Sequence, residues 1–297
     1  MLCHFSQLFP TYVELFLNRD RGLRRRFREE TVTDLFMGGL VGLGSGSMIV
    51  NFPADEARTG NDMEWWFVDV YSKRFWCVLV QAKKLSGRGR VWSRLGYPKL
   101  KHTTGRGGPL QVKVLCDTAR IMTACGTPTF PLYIFYNPGR ACEMARAAGV
   151  FSVNGVSVSD GFFIERLVVN GLPHNLKRLS PHMYPLSALF CPDSIHYSAA
   201  GTGRRSFTGP FFLSSDGRLG NAVSPGPEEA RRRFSRVFPR SVDIEGVDGS
   251  DLDIIPQVSE GLPDNIMVSI ERSASGVSID ESLDHPRVIF LSDSRRR

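Results

Sequence analysis

The chain has 297 residues, with 37 Lys and Arg against 30 Asp and Glu, a formal charge of +7. An apolar fraction of 42% is enough for a packed core and excludes wholesale disorder. No uncharged apolar run reaches the roughly 18 residues a membrane span needs, and the N-terminus lacks the basic-then-apolar order of a secretory signal. The charge is unevenly spread. Residues 241–285 hold eleven acids and one Arg, residues 286–297 hold four Arg and one Asp, and 1–240 carry +14. A basic body followed by an acidic segment fits a polyanionic partner such as nucleic acid. The six Cys form no C-x-x-C pair, which argues against a disulfide framework or zinc ribbon; most read as buried thiols in a reducing, cytoplasmic (in a eukaryote, nuclear) compartment.

In chain order, 11–18 and 24–40 read as helices. The second carries Phe27, Val32, Leu35, Phe36 and Leu40 roughly on one face. Residues 45–52 read as a strand. The aromatic and β-branched runs 64–71 and 75–82 flank Tyr71-Ser72-Lys73-Arg74 and predict a hairpin. The Gly-rich, basic stretch 87–108 is irregular. Residues 110–125 have helical spacing and stop at Gly126; 130–136 is a strand ended by Asn137-Pro138-Gly139; 142–148 is a short helix. A strand–helix–strand step predicts a parallel pair with helices packed on the sheet. Further on, 162–169 is a helix or strand, 185–190 is an apolar stretch, and 287–291 is a late strand. The organisation expected is a core with N-terminal helices over 1–148, an accessory region over 149–240 and a loosely ordered acidic tail over 241–297.

The chemistry concentrates in the hairpin. Asp62 and Glu64 share a strand face, Gln81 and Lys83 likewise share one, and a turn at 71–74 sets residues near 62–64 opposite residues near 81–83, so the four could meet at one end of a sheet. Carboxylates and a carbonyl oxygen suit a hard divalent cation, and an ammonium suits a water and a developing negative charge. On that reading Asp62, Glu64 and Gln81 hold Mg²⁺ (or Mn²⁺) and Lys83 orients the water. The competing reading is a solvated hairpin face with cross-strand ion pairs.

A helix, three strands with Asp at the start of the second and Gln-x-Lys at the end of the third, then helix and strand, resembles the PD-(D/E)xK nuclease superfamily. The setting Val80-Gln81-Ala82-Lys83-Lys84 is similar to its Mrr-type branch, in which Gln replaces the usual acid. The wider pattern of Glu30-Thr31, Thr59 to Asp62, Gln81 to Lys83, Gln111 and 131–137 also resembles an uncharacterised domain family of this kind. The resemblance covers about 24–140. It implies an α/β, restriction-endonuclease-like αβββαβ core, metal-dependent hydrolysis of DNA, and a supporting first-helix acid, for which Glu30 is the candidate.

From Lys83 to Lys113 there are nine Lys and Arg and no acid. Lys84, Arg88, Arg90, Arg94, Lys99 and Lys101 are candidate phosphate contacts; the bland alternative is a solvated loop. Six Arg between 19 and 28 could extend that track. Gln111 opens a helix, where it either points at the site or lies on the surface. Trp65 and Trp66, adjacent on a strand, read as structural rather than as base-stacking platforms. The alternatives to an enzyme are an inactive nucleic-acid-binding module of the same fold and a protein-interaction domain.

Overall fold

The computed structural model describes residues 1–19, 27–43, 47–52, 62–86, 91–105, 107–191, 224–238, 255–275 and 286–296. The elements are α1 (Leu2–Arg19), α2 (Glu29–Gly42), β1 (Met48–Asn51), β2 (Met63–Asp69), β3 (Phe75–Lys84), α3 (Gln111–Ala124), β4 (Thr129–Tyr136) and α4 (Gly139–Ala147). They continue with β5 (Val156–Asp160), α5 (Gly161–Val169), α6 (Leu176–Leu179), β6 (Tyr184–Pro185), α7 (Ser187–Phe190), α8 (Pro227–Val237), α9 (Asp264–Ala274) and β7 (Arg287–Ser292).

The expected hairpin forms, and its turn has a local cause. Asp69 Oδ1 accepts the backbone N–H groups of Tyr71 (3.0 Å) and Ser72 (2.9 Å), an Asx-type turn, and Lys73 takes the left-handed conformation at φ 57°. The β2 and β3 runs lack polar alternation because both are central strands, buried on both faces along nearly their whole length. The seven strands form one mixed sheet in the order β1-β7-β2-β3-β4-β5-β6. β3 and β4 pair in parallel across α3, as the strand–helix–strand step predicts.

The C-terminal strand lies elsewhere than in a tail. β7 sits between β1 and β2, antiparallel to the first and parallel to the second. Residues 287–292 are thus sheet interior, and β5 and β6 extend the same sheet, so a boundary at 148 or a tail from 241 does not describe these strands. Residues 241–254 and 276–285 lie outside the described residues.

Helices cover both faces. On one, Trp65 stacks on Phe36 of α2 and meets Phe190 of α7, while Phe67 and Trp76 meet Phe234 of α8. Trp65 and Trp76 are fully enclosed. Each contributes about 4–6 kcal/mol of transfer free energy before ordering costs. On the other face α3 lies along β3 and β4 and is tied to α5 by Arg120 and Glu165. Gly155 is obligatory where α1 crosses: a Cβ there would sit 1.8 Å from the Pro10 carbonyl oxygen.

One expectation about the cysteines is corrected. Cys3 and Cys191 form a disulfide across 188 residues, joining α1 to the end of α7. Cys77, Cys116 and Cys142 are buried thiols, as expected, and Cys125 is exposed. No helix among the described residues is long and apolar enough to cross a membrane.

Candidate functional site

The hairpin register places Met63 opposite Val80, so Asp62 stands at the level of Gln81, where the Asp62 N–H donates to Val80 O at 2.8 Å. Asp62 Oδ2 accepts the Gln81 Nε2–H and, at 2.6 Å, the backbone N–H of Ala82. Gln81 is fully buried, yet its Oε1 has no hydrogen-bond partner among the described residues. The Asp62 carboxyl is pushed up to about 6, chiefly by burial and also by the Glu29 charge, with Lys83 working against both.

Lys83 is 2% exposed. Its Nζ donates to Gln111 Oε1 at 3.0 Å and to Glu29 Oε1 at 3.4 Å. Glu29 Oε2 in turn accepts the Lys84 backbone N–H at 2.8 Å. Glu29 and Gln111 are the first residues of α2 and α3, so two helix N-termini open onto the end of β3. The dipoles of the two helices favour negative charge there.

The structure therefore brings together Asp62, Gln81, Lys83 and Gln111, and it corrects the first-helix acid. Glu29 is buried and reaches the lysine, whereas Glu30 is exposed. Helix phase explains the difference. Glu29 lies on the stripe of Val32, Phe36 and Leu40, and its neighbour turns outward. That stripe is visible in the sequence and would have selected Glu29.

Glu64 shares the face of Gln81 and Lys83 but is engaged elsewhere. Its Oε2 accepts the Trp66 Nε1–H at 2.9 Å and the Arg287 Nε–H at 3.0 Å, and both charged partners are buried. Arg287 comes from the strand that inserts beside β2. No spacing in the sequence announces it. Trp65 and Trp66 are both buried, as a structural role requires.

Of the basic candidates, Lys84 Nζ donates to the Phe27 carbonyl, and Arg94, Lys99 and Lys101 are exposed beyond β3 on the segment leading to α3. Arg88 and Arg90 lie outside the described residues, as do Arg21, Arg24, Arg25 and Arg26.

Among the described residues no three His, Cys, Asp or Glu side chains gather as a metal-binding group. The donor set for a cation is mixed. It comprises the Asp62 carboxylate, whose two hydrogen bonds both fall on Oδ2, the orphaned amide oxygen of Gln81, and the Ala82 carbonyl, which Gln81 Nε2 approaches at 3.3 Å. Glu29 stands nearby. One or two carboxylates with neutral oxygens and water suit Mg²⁺, which keeps much of its hydration shell.

No curated protein and no solved structure matches the chain. A family model described as a family of unknown function, DUF6615, matches residues 2–297, which spans both the Asp62–Lys83 cluster and the Glu64–Arg287 pair. The chain belongs to that family.

Proposed function

We propose that the chain hydrolyses phosphodiester bonds in DNA with the help of Mg²⁺ or Mn²⁺, on a restriction-endonuclease-like core. The observation that carries this reading is the meeting of Asp62, Gln81, Lys83 and Glu29 at one end of the β2–β3 hairpin. The order α2, β1, β2, β3, α3, β4 supports it, with β7 inserted between β1 and β2 as a departure from a plain three-strand meander.

Asp62, Gln81 and the Ala82 carbonyl would hold the cation, with Glu29 in the supporting place expected of Glu30. The bound ion would supply Lewis acidity and a more acidic water. Lys83 has three N–H donors. Glu29 and Gln111 take two and fix the ammonium. The third remains for a water or a phosphate oxygen, where the positive charge stabilises the developing negative charge. Arg94, Lys99 and Lys101 would hold the DNA backbone without reading bases.

The test is nicking of supercoiled plasmid with Mn²⁺. Wild-type protein relaxes the plasmid. Asp62→Ala and Lys83→Ala each lower the rate about 10³-fold or more and leave DNA affinity in place. The commitment of Glu64 to Arg287, which leaves the cluster with fewer carboxylates, favours a second reading: a nucleic-acid-binding module without turnover. Plasmid left intact by wild-type protein that still binds DNA, with affinity falling as salt rises, would establish that reading instead.

A further inference from the structure

One rung of the sheet leads inward from Asp62. Gln81 on β3 is the register partner of Tyr133 on β4, and Tyr133 is the partner of Ser159 on β5. All three side chains are fully buried. Gln81 Oε1, Tyr133 Oη and Ser159 Oγ each have no hydrogen-bond partner among the described residues. Buried polar atoms are overwhelmingly paired. One exception needs little comment, but three neighbours on a single rung, starting at the amide that touches Asp62, point to a shared cause.

We infer that Tyr133 is a positioning residue that holds the Gln81 carboxamide in a second setting, the one used when a cation is present; this rests on the metal-dependent reading above. In the first setting Nε2 donates to Asp62 and Oε1 is stranded. A cation on Asp62 calls for the amide oxygen instead. The terminal torsion of a glutamine is broad and roughly two-fold, so the carboxamide can exchange its ends with little rearrangement. That turn brings Oε1 to the Asp62 side and carries Nε2 toward the place Oε1 leaves. The relocated N–H then needs an acceptor. The Tyr133 hydroxyl, whose acceptor capacity is unused, supplies it, directly or through one buried water, and donates its own O–H toward Ser159 Oγ. The rung thus satisfies the amide in the loaded state and is left unsatisfied in the empty one.

The experiment is a calorimetric Mn²⁺ titration of the full chain without DNA. Wild-type protein binds saturably, Tyr133→Phe binds about tenfold more weakly, and Ser159→Ala loses about threefold. In a Gln81→Met background, Tyr133→Phe changes affinity no further, because the amide it serves is gone. Removing an unpaired hydroxyl leaves the melting temperature of apo Tyr133→Phe unchanged or raised. Equal affinities for wild type and Tyr133→Phe overturn the inference and leave the nuclease reading standing. A tenfold loss that persists in the Gln81→Met background also overturns it, since the effect then bypasses the amide. A lowered melting temperature assigns the hydroxyl to the fold and overturns it as well. Absence of saturable Mn²⁺ binding in the wild type removes both this inference and the reading beneath it.

Discussion

Asp62 and Glu64 are two residues apart at the start of one strand, and they are treated in opposite ways. Glu64 is given a full counter-charge, Arg287, and an indole N–H, so its negative charge is matched on the spot. Among the described residues Asp62 is given only an amide and a backbone N–H, while Lys83, whose charge acts on it, is bonded to Glu29 and Gln111. The consequence is electrostatic. Burial outweighs the Lys83 charge and leaves Asp62 raised to about 6. A buried carboxylate short of positive charge is what the proposed cation site rests on, whereas a carboxylate already paired belongs to the scaffold.

Breaking the scaffold side should have the largest effect on stability. Arg287→Met strands the Glu64 carboxylate in the interior and should cost about 3–5 kcal/mol by denaturant unfolding. A double change to Glu64→Gln with Arg287→Met should recover most of that. Failure to recover would mean that Arg287 acts chiefly through strand packing.

The site side gives a smaller effect of opposite sign. The Asp62 carboxyl titrates near 6 when folded, against an ordinary value of 3.8. Between those values the folded chain holds a proton the unfolded chain has lost, so stability conferred by this group is full below about 4 and is lost as pH rises through about 6. Asp62→Asn removes the titration. Its melting temperature relative to wild type should therefore climb between pH 4 and pH 7, and a flat difference would mean that Asp62 is not held in this way.

Smallest per residue are the surface cations. Replacing Arg94, Lys99 and Lys101 by Ala should weaken DNA binding on every sequence alike and lower the salt slope by about one unit for each phosphate no longer neutralised. An unchanged slope would move the DNA to another face.

The hairpin, α3 and β4 were legible in the sequence because their signals are local: apolar runs of the right length, a four-residue turn, and helical spacing ending at Gly126. That 62–64 meet 81–83 followed from the turn; that Asp62 falls level with Gln81 did not, since a turn centred on 71–74 would set it opposite Lys83. Glu29 was missed by one residue, since a helix rotates each successive side chain by about 100° and only the phase of the apolar stripe separates adjacent acids. Arg287 and the Cys3–Cys191 disulfide were not legible, because contacts over such separations leave no periodicity behind. The late strand did carry a hint: Val288-Ile289-Phe290-Leu291 is continuously apolar, the pattern of a strand buried on both faces rather than of a tail.

The place of β7 also sets an order of events during synthesis. Arg287 follows its partner Glu64 by 223 residues. At about 5–20 residues per second the ribosome needs roughly 10–45 s to cover that distance. For all of that interval β1 and β2 lack the strand that joins them, and Glu64 lacks Arg287. Until the residues of β7 emerge, the facing edges of β1 and β2 stay open, and the sheet closes across them only then.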